Sequence, residues 1–121
     1  PSEHLIAHSD YVEHAMDTRN WYAWINLMPP KPDDFHTIGE VFVGNPGVQA
    51  ELCPKEPQGI NSNILLLDLH LVQRPGMWPQ VMTWVQCRYD RILSPGSPKY
   101  TDVEVFHNGT SIAQMKVDEV H

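Results

Sequence analysis

The chain of 121 residues carries eight Lys and Arg against fifteen Asp and Glu, a formal charge of −7, and 41% of its residues are hydrophobic. That length and apolar content support one domain whose core needs no metal or disulfide staple. The acidic balance and the scattered basic residues speak against a nucleic-acid backbone or an anionic membrane as partner, since both need clustered Lys and Arg. No stretch approaches the roughly 18 consecutive apolar residues of a spanning helix or shows the basic-then-apolar pattern of a signal peptide, so a soluble protein is expected. Cys53 and Cys87 are too few for a disulfide framework and lie in no metal-type spacing. Two free thiols or one bridge are both compatible with them.

Residues 1–20 read as an N-terminal helix or arm. Ser2 can cap, and Leu5, His8, Val12 and Ala15 or Met16 recur at helical steps, which predicts a helix from Glu3 to Met16. His4 and His8 stand at the i, i+4 spacing at which two imidazoles share a metal on one helical face, with His14 or Glu13 further along. A divalent metal held by His4, His8 and His14 is therefore one candidate site. A solvated helix face explains the same residues. A second metal set would be assembled from His36, His70 and His107.

Residues 21–121 read as a single β-sandwich domain. Trp21–Met28 is dense in aromatics and favours a strand, and the prolines of Met28–Asp34 impose a loop because they lack a donor N–H. Phe35–Val43 is a second strand, Gly44-Asn-Pro-Gly47 a turn, and Val48–Cys53 a strand with one wet face, which together suggest a hairpin. Pro54–Asn63 is a loop long enough to cross between sheets.

The most apolar region follows. In Ile64–Val72 the residues Leu65, Leu67, Leu69 and Leu71 share one purely aliphatic face, and Ile64, Leu66, Asp68, His70 and Val72 the other. A Pro-Gly-centred connection, Gln73–Gln80, leads to Val81–Tyr89, where Val81, Thr83, Val85, Cys87 and Tyr89 share a face opposite Met82, Trp84, Gln86 and Arg88. These two strands are expected to pair and to organise the rest. Leu93–Pro98 is an exposed loop, and Tyr100–His107 alternates as a one-sided strand. Asn108-Gly109 is the preferred pair for a type I′ hairpin turn into Thr110–Val117. A plain two-residue turn would set Val103 against Gln114, so a bulge or a wider turn is expected there. About seven short strands with turn signals every ~8–12 residues predict an antiparallel, two-sheet, immunoglobulin-like sandwich.

Trp78, with Met77 beside it, is the candidate binding residue: a loop on a rigid scaffold presents a large aromatic and a flexible thioether. Folding back over the open end of the core is the other reading of Trp78. Asp68 and His70, with Arg88 or Gln86 across the expected hairpin, form a second candidate set for orienting a ligand or for acid-base work. Asp33-Asp34 and Asp118-Glu119 read as solvated charge, and Asn108-Gly109-Thr110 matches a glycosylation acceptor but is equally explained as a turn.

No catalytic signature stands out. The expected function is a non-catalytic protein-binding or self-associating module that uses a loop or an edge strand and no cofactor. The alternatives are a metal-binding protein using the N-terminal histidines, and a small-ligand site in a β-barrel, which gains if the sheet closes.

Overall fold

The computed structural model describes residues 16–121, and the expected helix over Glu3–Met16 lies, but for its last residue, outside them. Among the described residues all regular structure is β: β1 (Thr18–Asn26), β2 (Asp34–Val43), β3 (Val48–Pro54), β4 (Ile64–Gln73), β5 (Thr83–Ile92), β6 (Asp102–His107) and β7 (Thr110–Val120). The strands expected from the sequence thus appear in the expected order. β1 starts at Thr18, inside the stretch assigned to the arm.

Alternation fixes which side chains form the core. On β4 Leu65, Leu67 and Leu69 are buried, and on β2 Phe35, Val41 and Val43 are buried while Asp34, His36, Ile38, Glu40 and Phe42 face outward. Ala23 and Ile25 of β1, Leu52 of β3, Cys87 of β5 and Val103 and Val105 of β6 complete the interior. Each fully buried Leu or Phe contributes about 1.5–3 kcal/mol relative to exposure.

The strands do not divide into the two separate sheets of a sandwich. Backbone pairing runs in one seven-stranded sheet, β3-β4-β6-β7-β1-β2-β5, and its two end strands lie side by side, so the sheet is nearly closed and barrel-like. Two parallel pairs, β4 with β6 and β1 with β7, join the antiparallel ones. β7 carries the continuity: it pairs with β6 along Thr110–Lys116 and with β1 along Val117–Val120.

Three local expectations change accordingly. β4 and β5 are not partners: β4 lies between β3 and β6, and β5 lies beyond β2. The Gly44–Gly47 turn does not close a hairpin, because β2 pairs with β1 and β5 while β3 pairs with β4. The Pro54–Asn63 loop, expected to cross between sheets, closes the β3–β4 pair instead. Its Gln58 accepts from Leu66 N–H through Oε1 at 2.9 Å and donates through Nε2 to Leu66 O at 2.8 Å, standing in for a missing strand residue.

Two bulges set registers. Between β6 and β7, Asn108 (φ 51°) and Gly109 (φ 83°) form the tight turn, and a shift after Val105 places Val105 opposite Ala113 and Val103 opposite Met115. That is the repair the sequence called for. In β1, Asn20 adopts a left-handed φ of 60°, and the register shift between Arg19 and Tyr22 turns Trp21 inward. Its ring lies flat on Gly39, where a Cβ would come within 2.2 Å of ring carbon.

Candidate functional site

The barrel has two ends. The upper one carries the end of β1, the start of β2 and the ends of β5 and β7; the lower one carries the β2–β3 and β4–β5 connections. The upper end holds a cleft of about 770 Å³ between the β1–β2 loop and the β5–β6 loop. Ile25 and Leu93, the last inward residues before each loop, form its floor with Leu27. Pro32, Pro95 and Pro98 line its walls.

Local chemistry anchors the bases of these loops. Leu93 N–H donates to Asp33 O at 2.9 Å and ties one loop base to the other. In Ser94-Pro95-Gly96-Ser97, Ser97 N–H donates to Ser94 O at 3.1 Å and Gly96 takes φ 86°, the geometry of a type II turn. The polar groups are few and sit at the rim. Lys31 Nζ donates to Asp33 Oδ1 at 2.7 Å, and Lys99 Nζ lies 3.1 Å from Glu119 Oε2. The hydrogen bond from Lys99 holds the Glu119 carboxyl below its usual range. An apolar floor of this size with a few convergent polar groups has the form of a small-ligand site.

The outer wall of β7-β1-β2-β5 carries a second cluster. Register places Asp118, Trp24, His36 and Asp90 in one row across four strands. The Trp24 ring lies between Tyr22, 5.1 Å away, and His36, 4.9 Å away. His36 is clamped by two carboxylates: Nδ1 meets Asp90 Oδ1 at 2.5 Å and Nε2 meets Asp34 Oδ2. Partial burial opposes charging of the ring, but the hydrogen bonds and charges of Asp90 and Asp34 outweigh it and raise the His36 pKa. Burial pushes the Asp90 carboxyl up, but Arg88 and His36 outweigh this and hold it low. Asp34, His36, Asp90 and Arg88 are already partnered with one another, which is how a wall is braced.

The residues singled out from sequence fall elsewhere. Trp78 folds back: its Nε1 donates to Arg74 O at 2.9 Å, the Arg74 guanidinium lies 4.8 Å from the ring centre, and its ring covers Gly47. Met77 is fully exposed. Asp68 and His70 stand on the outer face of β4 opposite Cys53 and Glu51, and Arg88 stands on β5 bound to Asp90 at 2.8 and 3.0 Å. The expected Asp68, His70 and Arg88 set is therefore not brought together, because the hairpin that would have joined them does not form. His4, His8 and His14 lie outside the described residues. His36 on β2 is remote in the strand order from His70 on β4 and His107 on β6, and among the described residues no group of three or more His, Cys, Asp or Glu is placed to hold a metal.

Cys53 and Cys87 are free. Burial pushes the Cys87 thiol up to about 12, and burial followed by the charges of Asp68 and Glu51 raises Cys53, so neither is an activated nucleophile.

Lys31, Leu93 and Lys99 are not singled out by the sequence, which presents Asp33 and Glu119 only as solvated charge. The available signal was two proline-rich loops, each with an inward aliphatic residue, Ile25 or Leu93, within one position of the strand end. Comparisons with protein-family models, curated proteins and solved structures give no match to this chain.

Proposed function

We propose that the protein is a non-catalytic binding module whose ligand site is the upper mouth of the barrel. The cleft over Ile25, Leu27 and Leu93 carries this reading, because apolar floor left open between anchored loops gains free energy when a ligand covers it. The uncharged dye Nile red, titrated into the full chain, tests it. Fluorescence enhancement that saturates near one dye per chain is expected, and Leu27→Asp, at a half-buried loop position packed against the edge of the core, should abolish it in a chain that still folds. Enhancement unchanged in a folded Leu27→Asp variant would remove the mouth as the site.

A second reading, a protein contact at the lower end, is favoured by a different observation. Val72, Met77, Val81 and Met82 are exposed together in and around the β4–β5 connection. If this is the working surface, Met77 rather than Trp78 is its anchor, since Trp78 is committed to Arg74 and Gly47.

A further inference from the structure

The rim of the upper cleft specifies the kind of ligand, an inference that rests on the mouth being the binding site. We infer that the cleft takes an amphipathic anion: an aliphatic body over Ile25, Leu27 and Leu93, with one carboxylate or similar headgroup received by Lys31 and Lys99.

The argument is one of reach. The rim has two cations and two carboxylates, but they are not equally available. The side chains of Lys31 and Lys99 are each 72% exposed, against 19% for Asp33 and 39% for Glu119. Asp33 lies low at the loop base, where its backbone carbonyl also receives Leu93 N–H. Glu119 already has two partners, Lys99 Nζ at 3.1 Å and the His121 ring, whose Nε2 lies at 3.7 Å. Each ammonium has three donors on a flexible four-carbon stem, and one carboxylate occupies one of them. The lysines can therefore swing to an incoming headgroup while keeping most of their present contact. The cost is small, because solvent-exposed pairs of this kind contribute little.

The loop between them adds neutral donors. Ser94 and Ser97, with Oγ atoms 3.3 Å apart, line the same cleft. A cationic headgroup would meet the lysines before the recessed carboxylates, and a neutral one would leave the lysine donors unused.

The test uses three ligands with one tail: octanoate, 1-octanol and octylammonium, titrated into the full chain by calorimetry at low salt. Octanoate should bind about tenfold more tightly than 1-octanol, the scale of one charge-assisted hydrogen bond, and octylammonium more weakly than either. The preference should shrink in about 1 M salt and fall in Lys31→Gln and Lys99→Gln, with 1-octanol binding unchanged. Equal binding of octanoate and 1-octanol would overturn the headgroup inference and leave the mouth standing as an apolar site. Preference for octylammonium would overturn the inference and assign the rim to its carboxylates. No binding of any of the three would overturn the inference together with the reading on which it rests.

Discussion

At the lower end of the barrel the β2–β3 and β4–β5 connections are locked into one another, whereas at the upper end the β1–β2 and β5–β6 loops meet only at their bases. Below, Arg74 reaches across: its N–H and its Nε donate to Gly47 O at 2.9 and 3.3 Å, and its Nη2 donates to Pro46 O at 2.8 Å. Asn45 Nδ2 donates to Gln73 Oε1 at 2.8 Å, and the Trp78 ring seats on Gly47. Above, Leu93 N–H to Asp33 O joins the loops, and beyond it prolines face each other across open space. All four connections contain Pro and three of them Gly, so composition alone does not separate the two ends. What separates them is one glycine that accepts an aromatic face below, against prolines above that offer neither a donor N–H nor room for close approach.

The largest effect expected from this contrast is at Gly47. A Cβ there would sit 2.4 Å from Trp78 ring atoms, so Gly47→Ala should cost about 2 kcal/mol, read from denaturant melts. In a Trp78→Ala background the same substitution should cost almost nothing, and that non-additivity is the signature of the lock. Additive losses would mean that the two loops do not depend on each other.

At the upper end, Gly96 has nothing within 4 Å of an added Cβ but holds φ 86°. Gly96→Ala should therefore lose about 1 kcal/mol from backbone strain alone, with no dependence on any neighbouring side chain. A larger loss, or one rescued by a second substitution, would mean that this loop is packed rather than open.

The smallest effect concerns the braced wall between the ends and separates charge from packing. His36 has a raised pKa in the folded state, so its contribution is fully present below its ordinary value of 6.5 and is lost as pH rises through the folded value. Asp90 is shifted down, so its contribution is present above 3.8 and is lost as pH falls through the folded value. Stability should peak between these limits, and His36→Gln should flatten the decline on the alkaline side. A decline that persists in that variant would move the titration to another group.

The parts of this molecule that the sequence discloses are those decided within a few residues. Asn108-Gly109 has one favoured turn, and the clash of Val103 with Gln114 across a plain turn announces the bulge that the structure contains. The alternating leucines of β4 fix its inner face without reference to any partner. Partner choice is decided by long-range contacts. Consecutive strands usually pair, which is why β4 and β5 read as a hairpin, but β4 pairs with β3 and β6, and β3 comes between it and β5 where the sheet nearly closes, so Arg88 is not a strand neighbour of Asp68 and His70. The hairpin and the crossing were exchanged for a related reason: the Gly-Pro turn at Gly44–Gly47 looks like a hairpin, and nothing local shows that Gln58 can close the longer loop with its side chain. The cleft was hidden because its floor and rim come from two loops and the ends of β1 and β7, which meet only through the strand order. For Trp78 the sequence left two readings open, and the glycine its ring lies on, Gly47, is thirty-one positions away.

The most direct test of the contrast between the two ends is a backbone amide spectrum of the isotope-labelled chain during titration with 1-octanol. The account predicts shift changes confined to the upper mouth, at Leu27, Asp33, Leu93, Gly96, Ser97 and Lys99, with the amides of Gly47, Arg74 and Trp78 unmoved. Changes centred on Val72, Met77, Val81 and Met82 would contradict it, and would make the lower end the surface this protein uses.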